Sequence, residues 1–290
     1  MYLVLLFIGF KIMVNEPTNP LQKHFRQPVI YLELPSKGAY WPPGSLDMPE
    51  SGQIPVYPMT VKDEILIKTP DALMNGEGTV NVIQSCFPNI KNAWKIPVCD
   101  LDAILVALRL ASYGDELGLQ SQCSHCKESN EHLIDLKVLL DSMHSPVFDS
   151  ITTNDLVIQF KPQIYETINN SNLSNFKTQS ILQTIMSSEL SEEEKTKKFN
   201  ELLPEITDLN VSVIADSIES ITIDKDTAVT NKKHILDFLN NCDRKVYSQL
   251  KAHVEKLATQ NKVKPFDVGC TNCDKQYKTS MSFEFSNFFD

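Results

Sequence analysis

Glycine is scarce in this chain, 9 residues in 290, and tryptophan is scarcer, at 2. The scarcity of glycine excludes collagen-like and glycine-rich flexible chains. With 42% hydrophobic and 22% charged residues the composition is that of a folded globular protein. Positive charge is short as well: 27 Lys and Arg stand against 37 Asp and Glu, a net charge of −10. That balance argues against nucleic acid as a partner, because a phosphate backbone is met by a cationic surface. No apolar run reaches the roughly 20 residues a membrane-spanning helix needs. The apolar stretch from Met1 to Val14 is broken by Lys11, and it has neither a basic start nor a small-residue cleavage site, so it does not read as a signal peptide. Met13 opens the polar stretch that follows and is the expected native start, with residues 1–18 as an N-terminal extension.

Catalytic patterns are missing too. There is no glycine-rich phosphate loop, no G-x-S-x-G and no H-E-x-x-H, and His24, His144, His234 and His253 stand singly. An enzyme reading has no residues to stand on, and no small-molecule substrate is expected.

What the sequence does have is cysteine. Seven are present, an odd number, and four form two C-x-x-C pairs, Cys123/Cys126 and Cys270/Cys273. Cys86, Cys99 and Cys242 lie in apolar or helical surroundings. This usage favours a reducing compartment and a metal over a disulfide framework. Two thiols two residues apart on a tight knuckle point at one ion, and two knuckles complete a tetrahedron around a structural Zn2+. Iron suits the same four thiolates. Four thiolates fill the coordination sphere, so the metal is a clamp and not a Lewis acid; His125 and His132 are spare ligands at best. The alternative is two independent pairs, redox-active or simply reduced. Redox chemistry prefers a C-x-x-C that opens a helix beside a parallel sheet, which neither pair does.

The zinc reading requires the long stretch between the pairs to be an insertion between two hairpins. Alternation supplies them: Glu116 to Gln122 leads into the first pair and His132, Ile134 and Leu136 follow it. Tyr277, Thr279, Met281, Phe283 and Phe285 follow the second. A site closing so long a loop couples metal binding to folding, so Cys270→Ser is expected to loosen the whole inserted subdomain.

Elsewhere the periodicities place the other elements. Val29 to Leu32 and Gln53 to Met59 read as strands, the second suited to a sheet edge by Pro55 and Pro58. Pro35 to Gly38 is a turn. Thr60, with Asp63 and Glu64, opens a helix to about Lys68. A break over Pro70 and Asn75 to Gly78 precedes a short helix through Val80, Val82, Ile83 and Phe87. The clearest helix, LDAILVALRLASYG, is expected to be capped by Asp100 or Asp102 and ended by Gly114. Val147 to Thr152 and Leu156 to Phe160 suggest a hairpin. Beyond it the chain reads as predominantly helical to Asn261, with a capping box at Ser191 and Glu194 and apolar faces over Leu209 to Ile218, Ile235 to Leu239 and Val246 to Leu257.

The expected fold is therefore α+β and mostly helical: short N-terminal strands, a helical core, and a four-cysteine zinc ribbon with a helical insertion between its knuckles. Residues 19–162 with 262–290 form the α+β region and ribbon; 163–261 form the inserted helical subdomain.

The strings NPLQKHFRQP, LELPSKGAYWPPG, VIQSCFPNIKNAWKIPVCDLDAILVALRLASYG, CSHC, CTNC and FSNFF, in that order, resemble the baseplate hub subunit family of T-even-type contractile-tailed bacteriophages, from about Asn19 onward. The resemblance implies a phage tail protein made in the host bacterial cytoplasm and needed to build the central hub of the virion tail baseplate. It implies action by contact with other hub or tail proteins, without catalysis, and no active residue is carried over. The expected contact residues are Lys37, Tyr40 and Trp41 in the proline-rich segment, with Phe288 and Phe289, which either fold back on the ribbon or plug a partner. Phe283 and Phe285 are expected to face the core. One rival is a nucleic-acid-binding zinc-ribbon module, but neither knuckle is rich in Lys or Arg. Another is an envelope-degrading hydrolase of the tail, for which no carboxylate pair or open metal position is visible.

Overall fold

The structure is a computed structural model that describes residues 19–69, 76–223, 227–260, 263–281 and 288–289. The expected N-terminal extension with Met13, the break at 70–75, and Phe283 and Phe285 lie outside them.

The first half folds around one helix. β1 (Ile30–Glu33) and β2 (Gln53–Val56) pair antiparallel as a two-stranded sheet, with Pro55, which has no N–H to give, opposite Tyr31. α1 (Val61–Ile67) starts at a capping box: Thr60 Oγ1 accepts from Asp63 N, and Thr60 N donates to Asp63 Oδ2 at 2.7 Å. α2 (Glu77–Cys86) follows, then α3 (Val98–Tyr113), buried at every position from Ala103 to Ala111. A stretch of helix buried on all sides has to be wrapped, and Leu32, Ile54, Ile83, Phe87 and Ile104 surround or belong to it at 2% exposure or less. α4 (Leu136–Ser142) closes this main core, and Gly114 ends α3 with a φ of 94°.

The expected aspartate cap on α3 is corrected. The helix begins at Val98 after Pro97, with no side-chain cap bond. Proline's fixed φ starts the helix earlier than the first capping-type residue suggests. Asp100 lies inside the first turn, fully buried, and its carboxylate accepts from Ser36 N at 2.8 Å and Trp41 Nε1 at 2.7 Å. It staples the Pro35 to Trp41 loop onto the helix.

A second core forms downstream. β5 (Ile151–Thr153) and β6 (Leu156–Phe160) turn at Asn154 and Asp155, whose φ values of 46° and 63° fit the two-residue turn that matches strand twist. They join β7 (Ile218–Ile223) and β8 (Thr227–Val229) in one antiparallel sheet of order β5-β6-β7-β8. The predominantly helical reading of 163–261 thus missed a strand pair. The helical face over Leu209 to Ile218 ends at Ser217, and the β-branched run Ile218, Ile221, Thr222, Ile223 continues as a strand with Ile218 and Ile221 inward. The hairpin expected in the first half packs here: Ile158 and Phe160 share a cluster with Val211, Ile214, Ile221 and Leu250.

The helices of this part are α5 (Tyr165–Ser187), α6 (Glu192–Ser217), α7 (Lys232–Asn241) and α8 (Arg244–Gln260). α6 starts at the expected capping box, Ser191 N donating to Glu194 Oε2 at 3.0 Å. The second core is pinned to the start of α3: Val98 N donates to Gln163 O at 2.9 Å and Tyr165 N to Ile96 O at 2.8 Å. Trp94 and Tyr165 stack at 5.6 Å. Among the described residues no helix is long and apolar enough to cross a membrane.

Candidate metal centre

β3 (Glu116–Gln122) and β4 (Ser129–Asp135) pair antiparallel, with Cys123 and Cys126 in the turn between them. β9 (Phe266–Gly269) and β10 (Gln276–Thr279) do the same around Cys270 and Cys273. The two turns share one backbone design. Cys123 N donates to Glu128 O at 2.8 Å, and Lys127 N to Cys123 O at 3.0 Å. In the second turn Cys270 N donates to Lys275 O and Asp274 N to Cys270 O, both at 3.0 Å. The residue after the second cysteine is left-handed in both, Lys127 at φ 65° and Asp274 at φ 55°. Aspartate tolerates that conformation; lysine does so at a cost of about 1 kcal/mol, which the rest of the turn has to offset.

Each turn brings two sulfurs to its tip, and the fold brings the tips together. All four sulfurs lie within 4.8 Å of one another. Cys123 Sγ is 3.8 Å from Cys273 Sγ, and Cys126 Sγ is 3.5 Å from Cys270 Sγ. A disulfide needs about 2.05 Å, so these are free thiols. A zinc–sulfur bond of about 2.3 Å sets the sulfurs of a tetrahedron ~3.8 Å apart. The donor set fits a tetrahedral ion, and Cys123, Cys126, Cys270 and Cys273 are the residues that would hold it.

The surroundings favour thiolates at some positions and oppose them at others. The N–H groups of Cys126 and His125 hold the Cys123 thiol below its ordinary value, the second lying 3.4 Å from the sulfur. Burial pushes Cys270 up, but the N–H groups of Asn272 and Cys273, with Cys126 and Asn130, outweigh it and bring the thiol down to about 6. At Cys273 the Lys275 N–H pulls downward, but burial and the other three sulfurs win and push it up to about 12. Four anionic sulfurs at this spacing repel one another unless a cation lies among them, and a metal ion would supply that charge.

One residue that the sequence reading passed over joins the two turns. Asn130, 4% exposed, accepts through Oδ1 from Thr271 N at 2.8 Å and Thr271 Oγ1 at 2.9 Å. Its Nδ2 donates to Glu128 O at 3.0 Å and approaches Cys270 Sγ at 3.6 Å. The signal was available: Asn130 occupies the inward face of an alternating strand, in phase with Ile134, where an apolar residue is expected. His132, in the same phase, is 3.1 Å through Nε2 from Tyr277 Oη, and Ser121 Oγ is 2.7 Å from that oxygen. His132 is therefore a strut of the hairpin pair and not a spare ligand.

The expected contact residues fall in different places. Lys37 and Tyr40 are exposed, and the Tyr40 ring meets Phe148 edge-on at 5.1 Å. Trp41 is turned inward to Asp100. Phe288 and Phe289, expected either to fold back on the ribbon or to plug a partner, are 3% and 2% exposed and belong to the main core. The Arg109 guanidinium donates to Phe288 O and lies 5.5 Å from that ring, and Phe289 meets Tyr113 at 6.4 Å. They fold back onto α3 and not onto the ribbon, because α3 offers an apolar face with a cation beside it.

Compared with the curated proteins and with the solved structures, the chain finds no match in either. A family model does match, described as T4 bacteriophage base plate protein and spanning residues 30–290, so that the main core, the second core and all four cysteines lie within it. The chain belongs to this family of T4-type phage baseplate proteins.

Proposed function

We propose that this protein is a structural or assembly subunit of the baseplate hub of a contractile phage tail, clamped by one Zn2+ at Cys123, Cys126, Cys270 and Cys273. It works through protein contacts, without catalysis. The observation that carries the metal half is the convergence of two identically bonded turns, remote in sequence, on a sulfur spacing of 3.5–3.8 Å. The two hairpins are the arms of a zinc ribbon, and the chain between them is its insertion. Membership of the baseplate family supports the other half. Synthesis in the reducing host cytoplasm suits four free thiols, and the finished subunit resides in the virion tail.

Lys37 and Tyr40 are the proposed contact residues on the loop that Asp100 holds in place. We divide the chain near Phe148 and not at 163, because Phe148, Ile158 and Phe160 pack in the second core. Two measurements test the reading. Metal analysis of the purified protein is expected to give one zinc per chain; iron would move the clamp to another metal, and no metal would sink it. Mass spectrometry of purified tails is expected to find the chain in baseplates, with cross-links to hub proteins. Its absence from both tails and assembly intermediates would overturn the hub assignment.

A further inference from the structure

The joint between the two cores is hollow. One cavity of about 350 Å³ is walled by Val98, Phe148, Ile168, Val213, Val254 and Leu257, drawn from α3 and from the second core. A neighbouring cavity of about 520 Å³ runs between α3, the end of α4 and the segment that leads into β9. The two share two residues, Cys99 and Asp102. Asp102 is therefore the carboxylate at the centre of the hollow; it is half-buried, and among the described residues no hydrogen bond or ion pair reaches it. The other chemical groups around the hollow are satisfied or face water. The Cys99 thiol is bonded to Ser145 and, by burial, pushed up to about 12, so it is neutral. Gln163 Nε2 donates to Val213 O and Ser217 Oγ at 2.7 and 3.0 Å. Lys161 and Lys264 stand exposed at the rims, as does His144, and neither lysine pairs with Asp102.

An anion half-buried in a largely apolar wall, with no counter-charge among the described residues, is costly to keep, and a cation brought to it lowers that cost. The shape says which kind. A mostly apolar chamber with one acidic group takes an apolar stem ending in a positive head, and these are the two parts of a lysine or arginine side chain. The net charge of −10 draws such a group in from a distance.

We infer that the hollow at the joint is a receptor for one lysine or arginine side chain of an adjoining baseplate subunit, with Asp102 as its counter-ion. This rests on the hub assignment above, and it adds a consequence. The walls belong to both cores, so a seated side chain fixes one core against the other. Docking then reinforces a joint that the Val98–Gln163 and Tyr165–Ile96 hydrogen bonds already hold.

The zinc-loaded full-length protein at pH 7.5 tests this with n-butylammonium and n-butylguanidinium as probes and n-butanol as the neutral control, followed by NMR at the Ala258 methyl and the Asp102 carboxyl. The cations are expected to bind at least tenfold more tightly than the alcohol, and whichever cation binds better indicates lysine or arginine. Asp102→Asn should remove the preference and Asp102→Glu should keep it. Equal affinity for cation and alcohol, or a preference that survives Asp102→Asn, would overturn the proposal. In infected cells Asp102→Asn is expected to lower tail yield at least tenfold, with Asp102→Glu restoring it. Unchanged yield from the Asn variant would overturn the partner while leaving the probe result in place. A failure of the hub assignment shows separately, as absence of the wild-type chain from tails.

Discussion

The main core and the cysteine cluster are neighbours held by different physics. Around α3 the chain buries a continuous apolar body from Leu32 to Leu139, with Phe288 and Phe289 against it. Around the cysteines the buried apolar set, among the described residues, is Cys123, Cys270 and Tyr277, with Val268 and Cys273 packed against it. Two short hairpins with so little apolar surface are marginal by themselves. What they have instead is convergence of polar and sulfur groups: four thiols, Asn130 across the turns, and Tyr277 held by His132 and Ser121. The difference teaches that converging thiols and oriented polar bonds stand where a core would otherwise be needed, and that a metal ion held by those thiols would complete the arrangement.

The largest expected effect tests that substitution directly. Structural zinc binding by four thiolates is worth about 10–16 kcal/mol, and Cys270→Ser removes one ligand of the four. The variant is expected to lose stoichiometric zinc, and hydrogen exchange should rise in 266–279 and 116–135. The second core keeps its own apolar cluster from Ile158 to Leu257, so its protection should persist. The rival expectation is that the whole insertion loosens; general unfolding of 148–257 would bear that out and break the comparison. Leu108→Ala probes the other side. Leu108 is fully buried, and its truncation is expected to cost about 3–4 kcal/mol, read as a fall in Tm with zinc content unchanged. Zinc lost along with Leu108 would mean that the two regions are one unit.

Between those regions and the second core lies Asp102, where pH sharpens the picture. Burial raises its carboxyl from 3.8 to about 6. Below pH 4 the group is protonated whether folded or unfolded and costs nothing. Above pH 6 it is ionised in both states, and the folded state bears the desolvation. At about 1.4 kcal/mol per unit this is roughly 3 kcal/mol, lost as pH rises from 4 to 6. Asp115, Glu194 and Asp243 shift the opposite way, held low by Lys137, by Ser191 and by the N–H groups of Val246 and Lys245 respectively, so the total curve mixes signs. The quantity to measure is the stability of wild type minus that of Asp102→Asn, by urea denaturation across that window. It is expected to fall with pH, and a flat difference would place Asp102 in water.

Much of the four-cysteine cluster was legible in the sequence, because its requirements are local. A C-x-x-C at the end of an alternating run specifies its own turn, and two such runs on one chain specify each other. The capping boxes at Thr60 and Ser191 were legible for the same reason. What escaped depended on partners far along the chain. Asp100 looks like a cap until Ser36 and Trp41 are placed against it. Ile218 to Ile223 reads as the tail of a helix until β6 offers it a ladder. Phe288 and Phe289 are expected to fold back on the ribbon or plug a partner, because nothing nearby in sequence announces the groove on α3.

Asn130 gives the finest cut between metal and core. If the cluster were held by apolar contact, replacing a buried polar residue with alanine would matter little. If it is held by oriented bonds, Asn130→Ala removes the two links to Thr271 and the amide beside the Cys270 sulfur. Loss of such an outer bond typically lowers metal affinity 10–100-fold, about 1.4–2.8 kcal/mol, measurable by competition with a zinc-sensitive chelator. Asn130→Asp separates the two contributions. It keeps an acceptor for Thr271 but exchanges the donor near Cys270 for a negative charge beside a thiolate. If the sulfur contact dominates, the aspartate variant holds zinc more weakly than the alanine variant; if the Thr271 links dominate, it holds it more tightly. Equal wild-type affinity in both would show that the sulfurs alone position the ion, and that Asn130 merely fills the space between the turns.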